Sequence, residues 1–229
     1  MRGLSASEIV GVWERGRGRT LPERALELLA AGGHPESPEL VTVGDRDALL
    51  TELRVLTFGR SLDAVVACPS CAALLEIELA AVDLRGKGPS VQPLELELDG
   101  RRIRLRLPNA GDLAAVAGAA DVEEGCALLL ERCVLDGELA AGHGDLVAAR
   151  MADADPGAWI ELALTCPGCG EEWSAPFDIV SFLWAELDAC ARRLVRDVHA
   201  LASAYGWRER DVLSLSSARR EAYLELVRG

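Results

Sequence analysis

The chain has 229 residues, of which 50% are apolar and 27% are charged, and its formal net charge is −13. This composition predicts a globular protein that is long enough for two or three small modules. The uncharged apolar run at 64–75 is too short to cross a bilayer, and residues 1–10 lack the pattern of a secretory signal, so we expect a cytoplasmic protein without a membrane partner. The acidic excess also disfavours nucleic acid as a partner.

Helical patterns fill the first sixty residues. Apolar residues at helical spacing predict a brief helix around Trp13 and two longer helices at 22–31 and 45–58. A segment rich in glycine and arginine, 16–19, predicts an exposed basic loop between the first two helices. Residues 1–60 are therefore predicted to form an N-terminal helical region.

A C-P-x-C element occurs twice, once with Cys68 and Cys71 and again with Cys166 and Cys169. The residues around each pair are extended in pattern, with alternating apolar and polar positions, so each pair is predicted to lie at the bend between two strands. The predicted strands are 62–67, 75–79, 159–165 and 173–177. Segments 61–83 and 158–177 are therefore predicted to form one zinc-ribbon-like module.

Residues 84–157 separate the two cysteine pairs and are predicted to form an inserted hairpin with helices. Asp99-Gly100 is a strong two-residue hairpin turn. The register that it sets puts glutamates opposite arginines on one face and apolar residues opposite each other on the other face, which is typical of sheet pairing rather than of a binding site. This register pairs Leu98 with Arg101, Glu97 with Arg102, Leu96 with Ile103, Glu95 with Arg104 and Leu94 with Leu105. The predicted helices of the insertion are 110–119, 122–135 and 146–152.

Apolar residues recur every three or four positions over 178–205, which predicts the longest helix of the chain. Gly206 ends this helix, and a short helical turn followed by a last helix through Val227 completes a C-terminal helical hairpin, 178–229. The predicted fold class is therefore α+β: a zinc-ribbon-like strand module with a long α/β insertion, N-terminal helices and a C-terminal helical hairpin.

Two facing C-x-x-C turns supply the four thiolates of a closed tetrahedral metal site. We therefore predict a structural site for Zn²⁺, with iron as the other metal that suits four thiolates, bound by Cys68, Cys71, Cys166 and Cys169. Gly170 provides a residue free to adopt positive φ in the second turn, whereas Ala72 stands at the same place in the first, so the first turn is expected to be less regular. The single cysteines, Cys126, Cys133 and Cys190, are expected to be small buried apolar residues.

The cysteine pairs have two alternative interpretations: a redox dithiol, because C-P-x-C resembles the active site of glutaredoxins, and cysteines that have lost the metal and are kept for packing. Redox thiols of this kind are activated by the N-terminus of a following helix, and here strands follow both pairs. The histidines, His34, His143 and His199, are scattered and are expected at the surface or the edge of the core. No phosphate loop, nucleophile elbow or H-E-x-x-H motif occurs, so no enzymatic activity is predicted.

The order of several short motifs resembles a family of phage baseplate and hub-assembly proteins, similar to those of T4-type tails and found in contractile injection systems. The motifs that carry the resemblance are Trp13-Glu14-Arg15-Gly16, Arg24-Ala25-Leu26, Leu28-Leu29-Ala30-Ala31, Leu53-Arg54, Thr57-Phe58-Gly59, Cys68-Pro69-Ser70-Cys71, Arg106-Leu107-Pro108-Asn109, Asp112-Leu113, Cys166-Pro167-Gly168-Cys169-Gly170, Tyr205-Gly206-Trp207, Arg219-Arg220 and Tyr223-Leu224. The resemblance implies a non-enzymatic structural or chaperone-like role in building a baseplate. Baseplate or hub proteins of a contractile tail are then the expected partners, and the protein could become part of the tail-like particle.

The C-terminal hairpin is the segment that we expect to bind such a partner. Large aromatic and arginine side chains dominate the binding energy of protein interfaces, and this hairpin carries Trp184, Trp207, Arg219, Arg220 and Tyr223. Packing inside the protein is the other interpretation of the aromatic residues. A zinc-ribbon adaptor for another protein or for nucleic acid is the alternative function, and the net charge argues against nucleic acid.

Overall fold

The computed structural model of the chain describes residues 1–33, 37–81, 84, 93–140 and 142–228. The helices within these residues are α1 (Ala6–Gly16), α2 (Leu21–Ala31), α3 (Val43–Phe58), α4 (Ala110–Val116), α5 (Val122–Cys133), α6 (Gly144–Ala154), α7 (Ile179–Tyr205), α8 (Glu209–Leu213) and α9 (Ser217–Arg228). The strands are β1 (Ser61–Ala67), β2 (Leu74–Ala80), β3 (Leu94–Leu98), β4 (Arg101–Leu105), β5 (Val134–Asp136), β6 (Ile160–Thr165) and β7 (Glu172–Phe177). Short 3₁₀ turns lie at Pro38–Leu40 and Pro156–Ala158. The predicted α+β class is confirmed.

Helices α1, α2, α3 and α7 pack together around the largest apolar core of the described chain. Leu28, Leu50, Leu183 and Leu187 are fully buried at its centre. The helix starts are specified locally: in α1 the Ser5 hydroxyl and the Glu8 carboxylate cap each other's backbone N–H groups. In the described residues, no helix is long and apolar enough to span a membrane.

Two antiparallel hairpins lie between α3 and α7 in the chain: one comes directly after α3, and the other comes directly before α7. β1 pairs with β2, and β6 pairs with β7, each in an uninterrupted register. The predicted strands around the cysteine pairs are therefore present, and each pair lies in the connection between two strands. One buried side chain holds the first hairpin to the helices: Arg54 of α3 donates to the carbonyl oxygens of Gly59 and Ser61, at 2.7 and 2.5 Å.

The insertion contains a three-stranded sheet, β3–β4–β5, packed against helices. The β3–β4 hairpin has the register that Asp99-Gly100 predicts, and its apolar side chains form a second core with Cys133, Val147 and Met151. The third strand was not predicted: the helix expected at 122–135 ends at Cys133, and β5 pairs with β4. At this helix end the carbonyl of Cys133 accepts from the N–H of Arg106 at 2.9 Å. The helix expected at 110–119 is also shorter and ends at Val116.

Backbone contacts join the insertion to the helical body at the start of α3. Thr42 bridges to Asn109, and the N–H of Ala110 donates to the carbonyl of Val41 at 2.9 Å. The N–H of Gly44 donates to the Asp155 carboxylate, also at 2.9 Å. A Cβ on Gly44 would lie 2.0 Å from the other carboxylate oxygen of Asp155, so only glycine allows this approach.

The C-terminal hairpin is formed as predicted by α7, α8 and α9. Gly206 ends α7 in the left-handed conformation, with φ +69°. Leu201, Val212 and Leu224 form a small separate core between these helices. The domain boundaries predicted at residues 60, 83, 157 and 177 stay a prediction.

Candidate metal centre

The two cysteine turns have the same backbone geometry. In the first, the N–H of Ala72 donates to the Cys68 carbonyl at 2.9 Å, and the Cys68 N–H donates to the carbonyl of Ala73 at 2.9 Å. In the second, the N–H of Gly170 donates to the Cys166 carbonyl at 2.9 Å, and the Cys166 N–H donates to Glu171 at 2.8 Å. Each hairpin therefore presents its cysteine pair on a closed, hydrogen-bonded loop.

The expectation of a less regular first turn is wrong. Ala72 adopts the left-handed conformation, with φ +59°, at the position where Gly170 has φ +79°. An L-residue with a Cβ pays roughly 1–2 kcal/mol for this conformation, and the two hydrogen bonds of the turn hold it there. The repeated turn thus outweighs the local preference of alanine.

The four cysteine sulfurs come together although 94 residues separate the two pairs in the chain. All four Sγ atoms lie within 4.8 Å of one another. Cys68 and Cys169 are 3.7 Å apart at sulfur, and so are Cys71 and Cys166. Four thiolates at about 2.3 Å from a central Zn²⁺ would be separated by about 3.8 Å. The cluster therefore has the size of a tetrahedral four-thiolate site.

Burial and local hydrogen bonds make the four thiols unequal. Cys68 and Cys166 are buried, whereas Cys71 and Cys169 are exposed. The backbone N–H groups of Cys169 and Gly168 point at the Cys166 sulfur and lower the pKa of this thiol to about 7. The Glu171 N–H favours the Cys169 thiolate, but hydrogen bonding with the neighbouring cysteine sulfurs outweighs it and raises the pKa of Cys169 to about 12. Four thiolates this close together repel one another, so all four can be deprotonated at the same time only when a cation is bound between them.

The hairpins make little apolar contact with each other apart from the cysteines. The core at this place consists of Cys68, Leu75 and Cys166, with Ile77 and Trp173 packed at its edge. This is small beside the core of the helical body, which holds sixteen buried residues in the part of the chain that the structure describes. A metal bound by the sulfurs would therefore be the main link between the two hairpins.

Within the described parts of the chain, the four cysteines form the one cluster of potential metal-ligating side chains. His143 lies elsewhere, with its Nε2 2.9 Å from the Asp99 carboxylate, and His199 is exposed on α7. The expectation for His34 lies outside the described residues. Four sulfurs complete a tetrahedral shell without histidine or carboxylate, which is the arrangement of structural rather than catalytic zinc.

The three single cysteines differ in burial. Cys133 is fully buried, and burial raises its pKa to about 11, while Cys190 is half-buried beside the main core. Cys126 is exposed, so the expectation that it is buried is wrong. The residues of α5 that pack in the insertion core, Leu130 and Cys133, lie in the last turn of the helix, and Cys126 is not among them.

The residues predicted to bind a partner lie in different environments. Trp184 is buried: its ring lies against Gly16, and the guanidinium of Arg24 stacks over it at 4.4 Å. Arg220 is also buried and pairs with Asp197 at 3.2 Å. Trp207 and Tyr223 are half-buried with ring centroids 4.8 Å apart, and Arg219 is exposed. Of the five, these last three are the ones open to a partner.

Sequence reasoning missed Arg54, which positions the first cysteine hairpin. The residue is 3% exposed, and its guanidinium donates to the Glu186 carboxylate at 2.8 and 2.6 Å. An arginine in a helical pattern is normally a surface residue, and its partner lies 132 residues further along the chain. No local pattern predicts such a contact.

Comparison with known proteins gave no further guide to function. No protein family model matches the chain. No curated protein and no solved structure matches it either.

Proposed function

We propose that this protein is a non-enzymatic structural or assembly protein whose two cysteine hairpins are joined by a structural Zn²⁺. The observation that carries the proposal is the cluster of four Sγ atoms within 4.8 Å, contributed by Cys68, Cys71, Cys166 and Cys169. Zinc fits this donor set because it prefers tetrahedral sulfur ligands and needs no redox partner. With four protein ligands the metal has no open position for a substrate, so its role is to stabilise the zinc-ribbon-like module.

The wider role that we propose is in the baseplate of a phage-tail-like contractile injection system. The ordered motifs that resemble baseplate and hub-assembly proteins support it, and they include both cysteine pairs. The protein would be made in the cytoplasm, where a reducing environment keeps the thiols available for metal. A baseplate or hub protein would then bind the exposed part of the C-terminal hairpin around Trp207, Arg219 and Tyr223.

Elemental analysis tests the metal site. Protein purified under reducing conditions should contain one zinc per chain, and iron in its place would change the metal but keep the site. Cys166→Ser should release the metal and lower the melting temperature, because metal-binding free energy is coupled to folding. Cys190→Ser is the matched control. Because Cys190 is half-buried and lies outside the cluster, the melting temperature of this variant should fall by only a few degrees, and its metal content should not change. Equal melting shifts with full metal content would contradict the site.

Co-purification tests the partner. The protein should be retained by a tagged baseplate or hub protein of its own injection system when the two are co-expressed. Arg219→Glu reverses an exposed charge and should weaken retention, whereas the same change at Arg193, exposed on α7, should not. Retention that is insensitive to Arg219 would show that the C-terminal hairpin is not the binding segment.

The redox alternative makes a different prediction. The pKa of Cys166 is low enough for a reactive thiol, but its side chain is only 1% exposed, and a substrate disulfide has to reach the sulfur. Insulin reduction that depends on Cys68 or Cys166 would favour the oxidoreductase over the structural site.

A further inference from the structure

Each exposed cysteine of the cluster lies against a buried cysteine of the other hairpin. Cys71 is exposed, and its sulfur is 3.7 Å from the sulfur of Cys166, which is buried. Cys169 is exposed as well, and its sulfur is 3.7 Å from the sulfur of Cys68, which is buried. These two contacts therefore run between the hairpins, and each joins a sulfur that is open to solvent to one that is shielded from it.

Such a pair of sulfurs is suited to oxidation. Thiolates that are open to solvent react first with an oxidant, because reactivity follows thiolate character and access. A second thiolate in contact with the oxidised sulfur can then convert it to a disulfide. To form that bond, the sulfurs of each pair have to approach from 3.7 Å to about 2 Å. The exposed cysteine of each pair is thus placed to react, and its buried partner is placed to complete the disulfide.

The charge around the cluster indicates which kind of oxidant can reach it. Residues 61–81 contain three acidic residues and residues 158–177 contain three more, and neither segment has an arginine or a lysine. Four thiolates around one Zn²⁺ add two further negative charges. An anionic oxidant such as glutathione disulfide is therefore repelled, whereas hydrogen peroxide is small and neutral and is not.

We propose that hydrogen peroxide oxidises the four-cysteine site to two disulfides that run between the hairpins, with release of the metal. One disulfide joins Cys71 to Cys166, and the other joins Cys169 to Cys68. The inference rests on the proposed Zn²⁺ site and adds a form of regulation to it.

Each disulfide forms in two steps. The exposed thiolate attacks one oxygen of the peroxide and breaks the O–O bond, which gives a sulfenic acid and a hydroxide ion. The buried thiolate then attacks the sulfenic sulfur and displaces its hydroxyl group as a second hydroxide ion. Two electrons pass from each pair of thiolates to one peroxide, so four thiolates and two peroxides give two disulfides and four hydroxide ions.

The metal leaves because its ligands have to be thiolates, and the sulfurs of a disulfide carry no charge. The hairpins share few apolar side chains, so in the reduced protein the metal is their main link. In the oxidised protein the two disulfides take its place. Oxidation is therefore expected to release zinc without separating the hairpins.

Peptide mapping tests whether the disulfides run between the hairpins. Trypsin places the first cysteine pair in peptide 61–85 and the second pair in peptide 151–192. The protein carries Cys190→Ser, because Cys190 is the one further cysteine of these peptides. After treatment with peroxide, the two peptides should be recovered as one disulfide-linked species. Two separate peptides, each closed by its own disulfide, would overturn the proposal.

A limiting amount of peroxide identifies the sulfurs that pair. Chains that hold a single disulfide keep two thiols of the cluster, which iodoacetamide then alkylates. We expect alkylation of Cys68 together with Cys169, or of Cys71 together with Cys166. Alkylation of any other two cysteines of the cluster would overturn the pairing.

A zinc-binding dye follows the release of the metal. Peroxide should release all of the zinc, with one Zn²⁺ for every two peroxides consumed. Cys126→Ser is the matched control, because Cys126 is exposed but lies outside the cluster. It should change the rate of release less than twofold, and a larger decrease would show that peroxide acts through Cys126. Glutathione disulfide at the same concentration should act about tenfold more slowly or less, and equal rates would overturn peroxide as the oxidant.

The zinc content before oxidation separates this inference from the proposed function. Reduced protein that contains no zinc at the start would overturn both. Protein that contains zinc and keeps it after treatment with peroxide would overturn the inference alone, because the site would then be structural but insensitive to oxidation.

Discussion

Arg54 shows how one buried charge connects the helical body to the cysteine hairpins. Its guanidinium donates to Glu186 on α7 and to the carbonyls of Gly59 and Ser61, where the chain enters β1. It also lies over the Phe182 ring, 5.7 Å from the centroid. The desolvation of the buried charge is thus offset by an ion pair and by backbone acceptors.

Arg54→Met keeps the length of the side chain but removes its charge, and it should lower the free energy of unfolding by about 3 kcal/mol. The variant is less stable because the Glu186 carboxylate and the carbonyls of Gly59 and Ser61 lose their hydrogen-bond donor. Arg15→Met is the control: Arg15 forms an exposed pair with Glu27 and should cost less than about 1 kcal/mol. Urea denaturation measures both variants, and similar losses would contradict the structural role of Arg54.

Asp155 is a buried carboxyl with an incomplete set of hydrogen bonds. One oxygen accepts from the Gly44 N–H, and the other has no hydrogen-bond partner in the described structure. Burial raises the pKa of Asp155, the Gly44 N–H lowers it, and the net direction is upward. The nearby carboxylate of Asp45 also raises the pKa of Asp155, and the guanidinium of Arg46 lowers it.

A pKa raised by folding means that the native state binds the proton more tightly than the unfolded state. The contribution of Asp155 is therefore most favourable below its unfolded pKa of about 3.9 and is lost as pH rises through the higher native value. Asp155→Asn keeps an acceptor for Gly44 and cannot ionise. The melting temperature of the variant minus that of the wild type should increase between pH 4 and pH 7, and a pH-independent difference would contradict the shift.

The cysteine turns illustrate what the sequence predicts and what it does not. The C-P-x-C repeat predicts two equivalent turns, and the structure has them. The φ of Ala72 was not predicted, because alanine by itself disfavours the left-handed region. Likewise the β3–β4 register was predicted because Asp99-Gly100 fixes it locally. Strand β5 was not, because its partner β4 is some thirty residues away.

Ala72 and Gly170 occupy equivalent left-handed positions, so replacing each by the residue found in the other turn tests whether the two turns are equivalent. Ala72→Gly should raise the free energy of unfolding by about 0.5–1 kcal/mol, since it relieves the left-handed strain but adds freedom to the unfolded chain. Gly170→Ala should lower it by a similar amount, with no steric contribution, because no atom lies within 4 Å of the added Cβ. Thermal unfolding of the metal-bound protein measures both, and changes of the same sign would contradict the equivalence of the turns.

The apolar contacts of the described chain divide into separate cores. The helical body, the insertion and the C-terminal helices each have one, whereas the two cysteine hairpins share only a few side chains around Cys68 and Cys166. The sequence predicted most of the individual helices and strands, because helical and strand periodicities are local. It did not predict that α7 packs with α1, α2 and α3, or the contacts of Arg54 with Glu186 and of Gly44 with Asp155, because these join residues more than a hundred positions apart.

Zinc coordinated by all four cysteines is therefore the claim on which the account of the hairpins depends. X-ray absorption at the zinc edge, on protein purified without added metal, measures it directly. We expect one zinc per chain with a first shell of four sulfurs at about 2.3 Å. Two results would contradict a closed four-thiolate site at Cys68, Cys71, Cys166 and Cys169. One is a first shell that contains nitrogen or oxygen ligands, and the other is protein that contains no metal after purification under reducing conditions.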